Sequence, residues 1–256
     1  MRYPGPLFLL LLTLCFPLTA VAAGDDIPLQ QVVAALEGPF KAAPGRAAAI
    51  RDFQVDFRQE SEIVSLDQKQ TATGRALFLF LPAGEKTLVS PLFRWEYLEP
   101  HQQKIVSDGK SVWFHIPENQ QAILSDARRS LTGDEHANPL AFLTHIDDLG
   151  RFFEVSWAAP RQDGAGNYLL RLLPREKSPL LQSLVLGVAR EAVKTPGGKA
   201  LFPLCTVELT NVNGDRSRIL LSQARLNQGL AAGDFRFVPP EGTDILTPEQ
   251  FRKAFQ

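Results

Sequence analysis

The sequence predicts an α+β domain: a long antiparallel sheet that curls, with helices on its hollow side. Three observations lead there. Segments that alternate apolar and polar residues recur along most of the chain, separated by turn residues. Only a few stretches carry apolar residues at helical spacing. The alternating segments give about ten or eleven strands, and a twisted sheet that wide curls or splits.

The elements follow in order. "IPLQQVVAALEGPF" places Leu29, Val32, Val33 and Leu36 on one helical face, and Gly38-Pro39 ends it. A second short helix is expected near "GRAAAI". "FQVDFRQ" alternates: Phe53, Val55 and Phe57 point one way, and Asp52, Gln54, Asp56 and Arg58 point to water. In "GRALFLFL", Ala76, Phe78 and Phe80 share one face and Leu77, Leu79 and Leu81 the other, so both faces are expected to be covered. "LFRWEYL", "QKIVS", "KSVWFHI" and "QQAILS" then form a meander, with turns at Glu99-Pro100, Asp108-Gly109 and Pro117 to Asn119.

"NPLAFLTHIDDLG" breaks the alternation. Pro139 after Asn138 is a helix start, Leu140, Phe142, Leu143 and Ile146 form an apolar stripe, and Gly150 closes it. Strands resume with "RFFEVSWA", "NYLLRLLP", "LQSLVLGV", "LCTVELTNV" and "SRILLSQARLN", with Asn213-Gly214 as a hairpin turn. "AREAVKTPGGKALFP" reads as a flexible insertion over 189–203. "DFRFVPPEGTDIL" reads as a short strand with Phe235 and Phe237 on one face, followed by an irregular tail.

The start of the chain has a separate role. Arg2, an apolar run from Leu7 to Leu18 and the small residues Ala20 to Ala23 form the three-part pattern of a secretory signal peptide. The expected division is a signal peptide over 1–23 and a single domain over 24–256. Cys15 falls inside the signal, so Cys205 is the one cysteine left and no internal disulfide can form. It reads as a buried strand residue. The formal net charge of -1 offers no electrostatic footprint for nucleic acid.

A search for chemistry finds little. His101, His115, His136 and His145 show no metal-ligand spacing, so no metal or cofactor is expected. The sequence carries no nucleophile elbow, phosphate-binding loop or dinucleotide fingerprint. Ser107-Asp108-Gly109 reads as a turn, not as part of a triad with His115. Asp25-Asp26 and Asp147-Asp148 are adjacent pairs, whose side chains do not share a face. An enzyme is therefore not expected. The aromatic and aliphatic residues that remain have two readings: plain core, or the lining of a cavity for an apolar ligand.

The order of elements resembles the periplasmic outer-membrane lipoprotein carrier proteins, the LolA family. The pieces that carry the resemblance are "FQVDFRQ", "TGRALF", "PLFRWEY", "IVSDGKSVWFHIPENQQA", "NPLAFL" and "FRFVPPEG", spanning roughly residues 27 to 246. The resemblance implies an unclosed β-barrel with helices as a lid over a hydrophobic cavity. It implies a periplasmic chaperone that takes lipoproteins by their acyl chains from an inner-membrane ABC transporter and delivers them to an outer-membrane receptor. The alternative is a lipid-sensing or regulatory binder of the envelope with the same fold.

On this resemblance Phe78, Phe80, Phe93, Trp95 and Phe114 are the candidate acyl-chain cavity, and Leu140, Phe142 and Leu143 the candidate lid helix. Plain core packing is the other reading of each. Phe93→Glu is expected to abolish cargo retention with the fold intact. One departure stands out. Many members carry an arginine before the proline of this aromatic strand, bonded to the lid. Here Ser90 precedes Pro91, and Arg94 and Lys86 lie nearby but off that position.

Overall fold

Small residues set the shape of the central strands. In the computed structural model, which describes residues 27–42, 48–81, 88, 91–132, 141–195 and 201–253, β1 (Asp52–Ile63) pairs antiparallel with β2 (Gln68–Leu79) over its whole length. On β2, Ala72, Gly74 and Ala76 alternate toward the hollow side, opposite Gln59, Phe57 and Val55 of β1. That row of small side chains leaves a trough. The Phe57 ring lies in it, so close that a Cβ on Gly74 would stand 2.4 Å from Phe57 Cζ and 2.0 Å from the Glu96 carbonyl oxygen. Only glycine fits there.

The meander continues through β3 (Leu92–Glu99), β4 (Gln103–Ser107), β5 (Ser111–Ile116) and β6 (Gln121–Asp126). The Asp108-Gly109 turn is built as the sequence implies: Asp108 Oδ1 accepts from the N–H groups of Lys110 and Ser111, and Gly109 has φ +82°. The second half of the sheet holds β7 (Phe153–Gln162), β8 (Tyr168–Pro174), β9 (Leu181–Val188), β10 (Leu204–Asn211) and β11 (Arg216–Leu226). Strand β11 returns to pair with β1, so the two halves, with a last strand β12 (Asp244–Leu246) at one edge, form one sheet ordered β12-β6-β5-β4-β3-β2-β1-β11-β10-β9-β8-β7. Its two ends do not pair with each other among the described residues, so the barrel is unclosed.

Among the described residues twelve strands stand where ten or eleven were expected. The extra one is β12 (Asp244–Leu246), which runs parallel to β6 in the tail expected to be irregular. Next to it, α5 (Pro248–Lys253) follows. The segment around Phe235 and Phe237 is not a strand: a 3₁₀ turn at Ala232–Phe235 leads into extended irregular chain. Phe235 is fully buried, and Phe237 lies 5.5 Å from the Trp113 ring and 5.2 Å from the His115 ring. This segment covers the outer face of β3 to β6, where Arg94 donates to the Asp234 carbonyl. The side-chain period of two therefore splits the aromatic meander between two tasks. Phe93, Trp95 and Phe114 belong to the hollow side; Trp113 seats the C-terminal segment on the other.

Helices gather over the hollow side. Helix α1 (Leu29–Glu37) buries Val32 and Leu36, and a 3₁₀ turn at Gly38–Phe40 extends it past the expected stop, bringing Phe40 to 5.2 Å from the Phe80 ring. Of "GRAAAI", residues 45–47 lie outside the described residues and 48–50 are not helical. A short helix not expected from the sequence, α2 (Ala127–Thr132), follows β6. The expected central helix is two pieces: a 3₁₀ turn at Ala141–His145 and α3 (Leu149–Phe152), with Gly150 inside the second piece and not at its end. Phe142, Leu143 and Ile146 are buried as their stripe predicts; Leu140 lies outside the described residues. The 189–203 segment contains α4 (Arg190–Lys194), which lies against α1 and buries Val193.

Two polar side chains are buried at the joints. Asp52, expected to face water, is 4% exposed because its carboxylate accepts the N–H groups of Gln228 at 2.6 Å and Gly229 at 3.2 Å. Glu37 accepts the Leu149 N–H at 2.9 Å and pairs with Lys41 at 2.5 Å. That carboxylate ties the end of α1 to the start of α3.

Candidate functional site

The strands and the covering segments meet around one apolar cavity. Its sheet wall is Phe53 and Val55 from β1, Phe78 from β2, Trp95 from β3, Val207 from β10, and Ile219 and Leu221 from β11. Leu204, the first residue of β10, adds to that wall, and the cover is Phe142 and Leu143 from the 3₁₀ turn with Phe202 from the chain entering β10. The rings interlock: Phe53 stacks on Phe78 at 4.7 Å and meets Phe202 at 4.7 Å. The cavity measures about 10 Å³, the room of about one water molecule. No polar group lines it. In this arrangement the hollow is shut.

The cover is built differently from the wall. Each wall residue sits on a strand whose backbone is held on both sides by ladder hydrogen bonds. Phe142, Leu143 and Phe202 sit on a 3₁₀ turn and an irregular segment outside that ladder. They can move outward without breaking the sheet. What such movement costs is apolar contact, and an apolar ligand that takes their place offsets the loss.

The residues singled out from the sequence are distributed unevenly. Phe78 and Trp95 line the cavity, as do Phe142 and Leu143. Phe93 is 2% exposed and lies behind the lining, its ring 5.8 Å from Phe78. Phe80 sits past the end of β2 against Phe40, at 5.2 Å, and Phe53, at 6.1 Å. Phe114 is half-buried on the hollow side of β5, beyond the cavity and opposite Ile105. Ser90 and Lys86 lie outside the described residues. Arg94 points to the opposite face, toward Asp234 and Glu96, and does not reach the lid.

Sequence reading missed Phe53, Val55, Phe202, Leu204, Val207, Ile219 and Leu221 as lining residues. For Phe53 and Val55 the signal was present, since both alternate on the same face as Phe57. For Phe202 it was not: an isolated ring beside a glycine-rich stretch carries no period.

Beyond the cavity the hollow side turns polar. Tyr97 Oη donates to Gln59 Oε1 at 2.9 Å, Gln59 Nε2 donates to Ser61 Oγ at 3.0 Å, and Ser61 Oγ shares a 3.0 Å hydrogen bond with Ser217 Oγ. This row crosses β3, β1 and β11. Burial pushes the Tyr97 phenol up, and the Trp95 indole on its flank opposes that shift. Between the row and the cavity, Phe57 stacks on Trp95 at 4.2 Å.

Little else has the geometry of chemistry. Cys205 donates its thiol to the Gly187 carbonyl at 3.1 Å, and burial pushes its pKa up to about 11, so it is a poor nucleophile. His115 is drawn down by burial and by Lys104 and packs on Phe237. Among the described residues no cluster of His, Cys, Asp and Glu could hold a metal ion.

Comparison with known proteins gives a consistent result. The profile of the family described as "Outer membrane lipoprotein carrier protein LolA" matches residues 48–238. The outer-membrane lipoprotein carrier protein of Azotobacter vinelandii is 29% identical over 211 residues, covering 78% of this chain and 93% of that protein. The protein of that name from Xanthomonas axonopodis pv. citri is 31% identical over 170 residues, covering 66% of this chain and 73% of its own length. Among solved structures, a LolA superfamily protein from Nitrosomonas europaea aligns with a TM-score of 0.39 at 14% identity, covering 82% of this chain and 98% of that one.

Proposed function

The chain belongs to the LolA family of periplasmic outer-membrane lipoprotein carrier proteins, and from that premise we propose that it shields the acyl chains of a lipoprotein between the two membranes. It takes the cargo from an inner-membrane ABC transporter and hands it to an outer-membrane receptor. A carrier acts by binding and release, so it needs no catalytic group.

One observation carries this reading: a cavity with no polar lining, shut by side chains that lie outside the sheet's hydrogen-bonded ladder. Each methylene exposed to water costs about 0.8 kcal/mol, so a multiply acylated lipoprotein free in the periplasm is disfavoured by roughly tens of kcal/mol. The carrier must offset most of that and still let go. Aromatic and aliphatic walls give attraction without directional bonds. When the cargo leaves, Phe142, Leu143 and Phe202 fall back onto Phe53 and Phe78, and the empty hollow is not left open to water. That collapse lowers the cost of release. A signal peptide over 1–23 and a single carrier domain over 24–256 fit the same reading.

The test is release of cargo. The protein without residues 1–23 is incubated with spheroplasts of its own organism that make a tagged outer-membrane lipoprotein, and the supernatant is run on gel filtration. A soluble one-to-one complex is the expected result. A tag that stays with the membrane while the protein remains folded overturns the proposal.

A further inference from the structure

A buried carboxylate joins α1 to the segment that carries the cover. Glu37, the last residue of α1, is 6% exposed. Its Oε1 accepts the Leu149 N–H at 2.9 Å, and its Oε2 pairs with Lys41 Nζ at 2.5 Å. Leu149 opens α3, and Asp148, the residue before it, makes no side-chain cap bond there. The first N–H of α3 is thus met from another element, by a charge drawn out of water to do it. Burying a carboxylate is costly unless it is paired and hydrogen-bonded, so both of its partners matter.

The two ends of α3 are fastened to different parts of the molecule. At its far end Arg175, just past β8, donates from Nε to the Gly150 carbonyl and from its backbone N–H to the Phe152 carbonyl, both at 2.9 Å. There α3 runs straight into β7, so that end stays with the sheet. At its near end the chain leads back to the 3₁₀ turn that carries Phe142 and Leu143, where the Asp148 N–H donates to the His145 carbonyl at 3.0 Å. The Glu37 bond stands at the junction, between the fixed end and the turn that can swing. Helix α1 buries Val32 and Leu36 and lies against α4, so the carboxylate is anchored outside the turn it holds.

We propose that Glu37 is the catch of the cover. With the hollow empty, its carboxylate holds the 3₁₀ turn down through the Leu149 N–H, and entry of an acyl chain requires that bond to break. Lys41 makes the catch reversible. Its side chain is 50% exposed, so it stays with Glu37 while the water that enters on opening replaces the Leu149 N–H. The freed carboxylate is not left unpaired, which is the outcome a buried charge tolerates least. This rests on the carrier reading and adds to it a positioning residue that sets how often the hollow opens. A hydrogen bond to a charged group is worth about tenfold to a hundredfold in an equilibrium, and the open fraction scales the uptake of ligand. Once the chain is in and the bond is broken, Glu37 has no further hold on it, and release depends on the walls.

The experiment follows a palmitoyl chain bearing a fluorophore as it binds to and leaves the protein without residues 1–23, by stopped flow. Glu37→Ala is expected to raise the association rate by about tenfold or more and to leave the dissociation rate as it is. Glu37→Gln, which keeps an acceptor without the charge, is expected to fall between that variant and the wild type. A residue that only supported the fold would act the other way: its loss would loosen the walls and speed dissociation. An association rate in Glu37→Ala that is unchanged or slower, or a dissociation rate that rises as much as association, overturns the catch and leaves the carrier reading standing. If Glu37→Ala does not fold by circular dichroism, amide hydrogen exchange on the wild type decides the matter. The Leu149 N–H is expected to exchange about tenfold or more faster with the chain bound than without it, while the Arg175 N–H, bonded to the Phe152 carbonyl, keeps its protection. A Leu149 N–H equally protected in both states overturns the proposal. Failure of the wild type to bind the chain sinks the carrier reading and the catch with it.

Discussion

At the base of the β1–β2 hairpin the residues facing the hollow are Phe53, Val55, Ala76 and Phe78, each 1% exposed or less. Toward its tip the same face carries Gln59, Ser61, Gln70 and Ala72, none of them buried. At the tip itself Val64 and Leu66 are 56% and 61% exposed. The backbone pairing is antiparallel and unbroken along both halves. The difference is what lies across the hollow. Phe142, Leu143 and Phe202 cover the base and nothing comparable covers the outer half among the described residues. One continuous ladder thus supports both an apolar hollow and a wet ledge, and the change falls at Phe57 and Gly74. The ladder supplies rigidity, and the cover decides which stretch of it holds an oily ligand.

This contrast breaks most sharply at Phe93. Its side chain is 2% exposed and packs behind the cavity wall, so Phe93→Glu places a carboxylate with no partner in the apolar half. The expected loss is several kcal/mol of unfolding free energy in urea titration. The sequence alone led to the expectation that only cargo retention would suffer; the burial of Phe93 adds a loss of stability to what is expected. A Phe93→Glu protein as stable as wild type would mean that the apolar half is loosely packed.

Gly74→Ala probes the boundary. The added Cβ would stand 2.0 Å from the Glu96 carbonyl and push the Phe57 ring, so a loss of about 1–3 kcal/mol is expected. The Phe57–Trp95 stack would open, and the tryptophan emission of W113F/W157F, in which Trp95 is the sole tryptophan, should report it. An unchanged spectrum together with unchanged stability would show that β2 yields at this point without disturbing the wall.

The outer half should be far more tolerant. Gln59→Ala removes one hydrogen bond to Tyr97 and one to Ser61, but water can replace both, so about 1 kcal/mol or less is expected in the same titration. A cost equal to that of Gly74→Ala would make the ledge as rigid as the cavity wall and erase the contrast.

The smallest effect concerns reactivity alone. Cys205 adjoins the lining residue Leu204, and its pKa is pushed up to about 11 from the ordinary 9.0. At pH 8 only about a thousandth of the thiol is ionised, so alkylation should be slow and rise about tenfold per pH unit up to pH 10. Cys205 is only partly buried, so fast labelling at pH 8 would mean that its thiol is ionised more readily than its surroundings imply.

Strand existence was legible because alternation is a local property. Phe53, Val55 and Phe57 face inward on any sheet that buries one side, and the register of β1 on β2 follows from the same period. The stripe Phe142, Leu143 and Ile146 was legible for the same reason. The breakdown of that helix into a 3₁₀ turn and α3 was not, because it depends on Glu37 reaching the Leu149 N–H from a segment far earlier in the chain. Asp52 illustrates the same limit: its place in the alternation put it in water, and two N–H groups from 228 and 229 drew it inside.

By itself, then, the sequence determined the strands, the inward faces, the absence of any evident catalytic motif and the family to which the order of pieces belongs. Each of these rests on short periods or on local residue types. Only the tertiary structure decided which inward residues meet the lid, that Phe202 joins them, and that Trp113 serves the outer face. Those outcomes depend on which distant segment lands on which strand, and a side-chain period of two names the face of a sheet without naming what covers it.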